Sequence, residues 1–497
     1  MKRDINKLAR GAYDVLVIGG GINGAAVANT ASLNGLSVAL IEKDDFASGT
    51  SSKSTKLIHG GLRYLETFEF DLVREGLVER RIHIQSAPHL VKPLAFIIPV
   101  SKSDARPLWQ MQLGVALYDL LSGKYLIEKH RRLSVDEVLQ TVPGLNAQEL
   151  LGGVMYFDAQ MDDARLCLEN ILQADRQGAH VANYVEARSL IKELGKAVGV
   201  IAFDRLAQKT FEIRAKKVVC CVGPWANLFM EKEKAQSSQR VRTTKGVHIV
   251  YKKEICRHAL LFSTQKDKRV FFIIPWLGQS LIGTTDTDFT GSPDQVFTDQ
   301  EDIDYLLAEA GRALPLYNFK REDIVTTFAG LRPLVNQEGN PSQVSRKHVI
   351  RESYSGILYV MGGKYTTYRR IAEDCVKRLT KAKLIDTQEK YPLYGGGKVE
   401  EHPGRVAEEF SVTEEVVRSL MGVYGSRYKD VLALIKKDVR LKEPLPGAGQ
   451  VIKAQIKYSV ETEMACKAED MIWRRLTLGY THKDLSQIEA EIKGYFK

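Results

Sequence analysis

Residues 13–43, YDVLVIGGGINGAAVANTASLNGLSVALIEK, decide the reading of the N-terminal part of the chain. Tyr13 to Gly19 is a continuous apolar run rich in Val and Ile, the pattern of a parallel strand buried on both faces. Small, helix-compatible residues follow, and then LSVALIEK, a second β-branched run ending in an acid. Together they make a βαβ unit of about thirty residues. Gly19, Gly21 and Gly24 stand in G-x-G-x-x-G spacing directly after the first strand, where the helix opens. The first allows a tight turn, the second lets the backbone approach a pyrophosphate, and the third lets the helix pack closely on the strand. The helix N-terminus offers that anion free N–H groups and the positive end of its dipole. Glu42, 18 residues after Gly24 at the end of the second strand, is placed to accept from both ribose hydroxyls. The unit predicts a dinucleotide site and by itself does not separate FAD from NAD.

Working outward, residues 66–87 have the spacing of an amphipathic helix, with Pro88 at its end. Residues 163–177 read as another helix. Three strand candidates follow, HVANYVEARSL (180–190), AVGVIAFD (197–204) and KKVVCCVG (216–223), closed by a turn at Gly223-Pro224-Trp225. Residues 270–274 and 280–283 read as strands of a separate, antiparallel region. GILYVMG (356–362) returns to the buried-strand pattern and leads into a loop and helix. After about Gly397 the Gly and β-branched content falls, and the periodic segments 414–428 and 460–476 predict a helical C-terminal domain. No internal repeat is present.

A chain of 497 residues predicts two or three domains. With 44% hydrophobic and 27% charged residues its composition is that of a soluble globular protein. No run approaches the ~18 apolar residues needed to span a bilayer, and the N-terminus has charges but no apolar core of a secretory signal, so a cytoplasmic protein is expected. The six cysteines show no C-x-x-C spacing and no His partners at metal-ligand intervals, so no metal site is expected. Cys220 and Cys221, in an apolar run, read as small buried hydrophobes. Lys plus Arg exceed Asp plus Glu, giving a net charge of +10, which points to an anionic partner. The excess concentrates between Glu231 and Arg269, with eleven basic residues against four acidic ones. No aromatic-basic interleaving of the kind that reads nucleic acid accompanies it.

The stretch after Glu42, DDFASGTSSKSTKLIHGGLRYLE, is polar and Gly-bearing, with hydroxyls at Thr50, Ser51, Ser52 and Ser54 and cations at Lys56 and Arg63. It is suited to wrapping further along an extended cofactor, and equally to an ordinary surface loop. Here the chain resembles the FAD-dependent glycerol-3-phosphate dehydrogenases, within the wider family that includes D-amino-acid and sarcosine oxidases. The matching pieces, in the family's order, are IGGGINGA (18–25), TSSKSTKLIHGGLRYLE (50–66), VVCCVGPWA (218–226), KGVHIV (245–250), FFIIPW (271–276), IGTTDTDF (282–289), FAGLRPL (328–334) and GGKYTTYRRIA (362–372). The chain has Ala26, Thr30 and Asn34 where the family usually has Gly, Asp and Arg.

The resemblance implies an α/β fold. A Rossmann-like FAD-binding domain (1–90, 155–240 and 340–395) would interleave with an antiparallel-sheet substrate domain (91–154 and 241–339), followed by an α-helical domain (396–497). It implies FAD contacts from Gly19, Gly21, Gly24 and Glu42; from Thr50, Ser51 and Ser54 along the phosphates and ribityl chain; and from Leu57 and His59 near the flavin. Val185 would read the adenine edge through its backbone, Gly223 and Trp225 would close over the cofactor, and Gly363, Lys364 and Thr366 would return to the flavin ring.

The implied reaction is oxidation of sn-glycerol 3-phosphate to dihydroxyacetone phosphate by hydride transfer to FAD. The alternatives are a glycerol-3-phosphate oxidase using oxygen and an FAD-dependent amine or amino-acid oxidase. Guanidinium forks match phosphate geometry better than ammonium does. The resemblance places Arg332, Arg346 and Arg63 there, with Tyr64 and Lys364 as further donors. Arg332 and Lys364 also count as catalytic. His248 is the first candidate for the proton acceptor and His59 its rival. The resemblance further implies a quinone acceptor and peripheral attachment to the inner face of the cell membrane, where the basic excess would meet anionic lipid. Arg474 and Arg475 suit intramolecular pairs as well as lipid contact. A homodimer is compatible with the sequence, which specifies no oligomeric state.

Overall fold

The computed structural model describes residues 1–142, 144–233, 240–264, 269–335, 347–385 and 392–496. Its first sheet is built on Ala12–Ile18, the buried apolar run, with Val38–Ile41 parallel on one side and Lys209–Cys220 parallel on the other. His180–Ala182 extends the sheet beyond Val38–Ile41, and Leu358–Gly362 extends it beyond Lys209–Cys220, both again parallel. His348–Glu352 closes one edge in antiparallel sense. Val185–Glu193 and Lys196–Asp204 form an antiparallel meander on the first half of Lys209–Cys220. Helix Ile22–Leu33 lies against the sheet and contacts helices Asp163–Arg176 and Tyr368–Leu379. Its Ala25, Ala28 and Ala31 are fully buried, small residues that let the helices approach. Ala26 is buried as well, and Asn34 caps the helix by donating to Thr30 O at 2.8 Å and accepting from Ile385 N at 2.8 Å.

The second sheet pairs Val241–Tyr251 antiparallel with Ile324–Val335 and with Gln279–Gly283, and continues through Val270–Trp276 and Ala259–Ser263 to Val91–Ser101 and Leu150–Met161. Ala259–Ser263 runs parallel to Val91–Ser101; the other pairings named here are antiparallel. The short strand Leu57–Ile58 joins this sheet at its edge, opposite Ala159 and Gln160. The polar stretch after Glu42 therefore crosses from the first sheet to the second. The doubly wound sheet, the antiparallel sheet and the helical C-terminal region give the fold that the family pattern implies.

Several local expectations are corrected. The helix expected over 66–87 spans Phe70–Ser86, because residues 62–65 coil into a short turn and Phe68 takes φ +57°. The single strand expected over 180–190 is two, since Tyr184 at φ +55° breaks it and turns the chain into the meander. The periodic segment 460–476 is not one helix. Helix Lys453–Glu461 ends near its start, Met464 adopts φ +54°, and helical turns resume at Ala468. The side chains of that break explain it. Glu463 is fully buried and accepts a bidentate pair from Arg165 at 2.7 and 2.8 Å, and Arg475 grips Asp45 at 2.8 and 2.9 Å. Arg474 also binds Asp45, at 2.6 Å, so both arginines are committed inside the molecule. Several cations of the basic stretch are likewise paired: Arg240 with Glu231, Arg242 with Asp288, and Lys245 with Asp299 and Asp302.

Candidate active site

A cavity of about 2010 Å³ opens along the junction of the two sheets. Pockets for drug-sized ligands hold roughly 300–1,000 Å³, so this one has room for an extended cofactor with a substrate beside it. At one end lies the Gly-rich turn. Gly19 has φ +107°, and a Cβ added to Gly24 would sit 1.9 Å from the Gly19 carbonyl oxygen, so strand and helix meet at glycine contact distance. Helix Ile22–Leu33 starts at Gly21 with no side-chain cap from that residue, and its Ile22 N–H donates to Ser51 Oγ at 2.8 Å. Gly21, Ile22 and Asn23 line the cavity, as an anion site at a helix N-terminus requires.

Glu42 ends the second strand, as expected. Its carboxylate accepts from Gly20 N at 2.7 Å and Asp44 N at 2.9 Å, and burial raises its pKa. Val185 donates its N–H to Glu42 O at 2.7 Å, which ties the meander to the same corner. Thr50 donates to Leu331 O at 2.6 Å. Ser54 donates to Asp163 at 2.7 Å, and the buried Lys56 pairs with Asp163 at 2.6 Å. These hydroxyls therefore brace the loop while lining the cleft. Gly223 has φ +54° at the turn before Trp225. Trp225 Nε1 donates to Asp294 at 2.9 Å, Asp294 also pairs with Lys43, and all three line the cavity.

The far end is cationic. Arg63, Tyr64, His59, His248, Arg332, Gly363, Lys364 and Thr366 all line the same cavity. Arg346 lies outside the described residues. Arg63 donates to Tyr64 OH at 3.2 Å, and Lys364 Nζ stands 3.8 Å over the Tyr64 ring, so one aromatic holds two cations in place. Thr366 Oγ1 accepts from His59 N at 3.2 Å. Arg332 donates to Asp286 Oδ1 at 3.0 Å and to Thr284 Oγ1 at 2.8 Å. Its guanidinium lies over Gly246 of the neighbouring strand, where a Cβ would come within 2.4–2.6 Å.

His248 is 1% exposed, stacked on Phe328 at 5.0 Å, and its Nε2 is 3.0 Å from Thr55 Oγ1. Burial, then the charges of Arg332 and Lys56, push its pKa well below the usual imidazole range. Burial, then Lys364, Arg63 and Arg80, push His59 down to about 3. Both rings are therefore held neutral, and the same burial and cations oppose formation of an imidazolium.

Three groups at this end were not singled out from the sequence. Arg269 and Asp286 line the cleft beside Arg332, and Tyr118 supports the loop beneath it. Tyr118 OH accepts from Gly60 N at 2.7 Å and donates to Asp158 at 2.9 Å, while Arg80 holds Asp158 at 2.7 Å. Arg269 lies two residues before the first Phe of FFIIPW, and Asp286 lies within IGTTDTDF, so both sat beside motifs already in view.

The chain matches the family model described as FAD dependent oxidoreductase over residues 14–369. It also matches the model described as C-terminal domain of alpha-glycerophosphate oxidase over residues 387–492. A glycerol-3-phosphate dehydrogenase from Synechocystis is 37% identical, covering 97% of this chain and 92% of that protein. An aerobic glycerol-3-phosphate dehydrogenase from Staphylococcus aureus is 37% identical over 93% of this chain and 86% of its own. Among solved structures, the glycerol-3-phosphate dehydrogenase from Bacillus halodurans complexed with FAD superposes with a TM-score of 0.83 at 31% identity, covering 99% of this chain and 92% of that one. L-alpha-glycerophosphate oxidase from Mycoplasma pneumoniae, with FAD bound, shares the fold at a TM-score of 0.60 and 18% identity over 79% of this chain and 100% of its own.

Proposed function

Since the chain belongs to the FAD-dependent oxidoreductase family, we propose that it oxidises sn-glycerol 3-phosphate to dihydroxyacetone phosphate and passes the electrons to a quinone. The observation that carries the substrate is the cationic end of the cleft, where Arg332, Arg63 and Lys364 line one cavity with the cofactor segment. An amine or amino-acid substrate would not call for so many cations. Bound FAD supplies the hydride acceptor for the C–H bond of the carbinol carbon. The Gly19–Gly24 turn, Glu42, Thr50, Ser51 and the Gly363–Thr366 return are the groups that would hold it.

The protein's own work is positioning and proton transfer. Arg332 and Arg63 bind the phosphate, so that binding energy far from the reacting carbon is used to orient it. A neutral imidazole takes the hydroxyl proton. Between the two candidates, the geometry favours His59. Both line the cleft, but His59 is the less buried and has Arg63 and Lys364 as charged neighbours, whereas His248 is 1% exposed, stacked on Phe328 and bonded to Thr55. The same cations stabilise the alkoxide that forms as the proton leaves. The sheet membership of most strands supports a division into a discontinuous FAD-binding domain and a substrate domain, with Leu57–Ile58 and residues 155–161 pairing in the antiparallel sheet across the expected bounds.

Support for a membrane-borne quinone comes from helix Leu108–Ser122, which exposes Trp109 (66%), Leu113 (62%) and Leu120 (75%). Met111, Leu113 and Leu117 of this helix also line the cavity, so its apolar face continues into the cavity wall. Apolar residues of this kind on a short helix suit insertion at a headgroup boundary. No helix among the described residues is long and apolar enough to cross a membrane. The test is anaerobic mixing of the FAD-loaded protein with sn-glycerol 3-phosphate, followed by reoxidation. Bleaching of the flavin band is expected, then faster recovery with a quinone held in anionic vesicles than with oxygen. No bleaching refutes the substrate, and faster recovery with oxygen refutes the quinone.

A further inference from the structure

We propose that Arg269 is a further guanidinium fork for the substrate phosphate, held beside Arg332 by Asp286, so that the cleft selects the dianion of a phosphate monoester. The inference rests on the phosphorylated-alcohol reading above and adds a residue to it. Two different strands deliver the pair. Arg332 lies within Ile324–Val335, and Arg269 directly precedes Val270–Trp276, where its N–H donates to Thr264 Oγ1 at 3.0 Å. The turn after Gln279–Gly283 comes between them and places Asp286, which is 9% exposed, against both. Arg332 Nη1 donates to the Asp286 carboxylate at 3.0 Å and to Thr285 O at 3.2 Å, and Arg269 Nη1 donates to the Asp286 backbone carbonyl.

One residue thus fixes two guanidinium groups, and Arg269, Arg332 and Arg63 line the same cavity. Burial disfavours the charge on Arg332; Asp286 offsets this, while Arg63 and Arg269 add to the penalty. Three arginines this close, with a carboxylate between two of them, form a site whose electrostatic cost falls when a multiply charged anion enters. A guanidinium carries five donors in a fixed fork, so holding Asp286 and an oxyanion together is within its capacity. A phosphate monoester, with a second pKa of about 6, offers two charges at neutral pH. Glycerol without the phosphate offers none. In this arrangement Arg269 contacts substrate, and Asp286 is a positioning residue.

Inorganic phosphate is the probe. Its affinity for the FAD-loaded protein is measured by calorimetry for wild type, Arg269→Gln and Arg269→Lys, with FAD content taken from absorbance. Loss of a charge-assisted fork is expected to weaken phosphate binding about 10- to 100-fold in Arg269→Gln. KM for sn-glycerol 3-phosphate should rise in parallel, kcat should change less, and FAD content should stay at the wild-type level. Arg269→Lys should recover only part, because an ammonium keeps the charge and loses the fork. Phosphate binding by Arg269→Gln within twofold of wild type overturns the assignment. So does a wild-type holoenzyme that binds no phosphate. If phosphate behaves as expected and sn-glycerol 3-phosphate leaves the flavin oxidised, the fork stands and the substrate reading alone fails. Should Arg269→Gln lose its fold, the folded Arg269→Lys decides, since a lysine with wild-type phosphate affinity also refutes the fork.

Discussion

His59 and His248 are held neutral by their surroundings, and that has a consequence for rate. An imidazole pushed down to about 3, as in His59, is unprotonated throughout the working range and gives no inflection near its ordinary pKa. The kcat of flavin reduction, measured at saturating substrate, is therefore expected to stay flat between about pH 5.5 and 8. The acid limb should appear in kcat/KM instead, near the second phosphate pKa of about 6. His59→Asn should lower the reduction rate about 100-fold or more, and His248→Asn about tenfold, as a loss of support for the Thr55 loop. Rapid-mixing spectroscopy checks both. A larger loss in His248→Asn reverses the assignment, and a kcat inflection at pH 6.5 means that the base is not held neutral. Both histidines were legible as candidates because they sit in KLIHGG and KGVHIV. Their ranking was not, because it depends on Phe328 stacking over one and on Arg63 and Lys364 neighbouring the other. Arg269 was hidden differently. It sat in a run of basic residues that elsewhere form surface pairs, and only the Asp286 turn distinguishes it from them.

At the scale of elements, two glycines show what a pattern reveals and what it omits. Gly24 belongs to the G-x-G-x-x-G spacing, and its role in bringing helix to strand follows from the sequence alone. Gly246 belongs to no such spacing. Its role follows from strand register, since Val241–Tyr251 pairs with Ile324–Val335 so that Gly246 faces Gly330 and the Arg332 side chain crosses above it. A methyl group at each position therefore has a different outcome. In Gly24→Ala the new carbon meets a backbone oxygen at 1.9 Å, which cannot move without opening the turn, and the protein is expected to be isolated with little FAD. In Gly246→Ala it meets the Arg332 guanidinium at 2.4–2.6 Å, which can swing away. FAD content should then stay near wild type while KM for sn-glycerol 3-phosphate rises about tenfold, the equivalent of ~1.4 kcal/mol of binding. The FAD-to-protein absorbance ratio and steady-state kinetics separate the two. Loss of FAD in Gly246→Ala would remove the register argument. The same dependence on register explains why the extents of elements were less legible than their existence. The breaks at Phe68, Tyr184 and Met464 take positive φ values that no Gly announces.

For the whole molecule, the C-terminal region is fastened to the FAD-binding sheet by buried charges. Glu169 of helix Asp163–Arg176 pairs with Arg427, Glu463 pairs with Arg165, and Asp45, three residues after Glu42, is gripped by Arg474 and Arg475. Composition indicated that this region is helical but gave no sign of the fastening, because each pair joins residues far apart in sequence. The arrangement makes stability depend on pH in two stages. Burial lowers His59 to about 3 and His83 to about 4, both from 6.5. Unfolding lets these rings take up protons, so their contribution is complete above pH 6.5 and is lost as pH falls toward 4 and 3. For Asp45, burial opposes the charge, but Arg475 and Arg474 outweigh it and hold the carboxyl at about 2, below its ordinary 3.8. For Glu169, burial is outweighed chiefly by Arg427, with the carboxyl again at about 2, below 4.5. The unfolded chain binds more protons between those values, so this second contribution is present above pH 4.5 and disappears as pH falls toward 2. The melting temperature should therefore decline gently below about pH 6.5 and more steeply below about 4.5. Asp45→Asn leaves two buried guanidinium groups without their carboxylate, at a cost of about 3–5 kcal/mol at neutral pH. It also deletes one of the titrating groups. Its melting temperature should start lower at pH 7 and fall less between about pH 4 and 2 than that of the wild type, so that the two curves converge. Calorimetric melts across this range decide the matter. Parallel curves would mean that the Asp45 carboxyl has the same pKa in the folded and unfolded protein and that the arginines do not hold its charge.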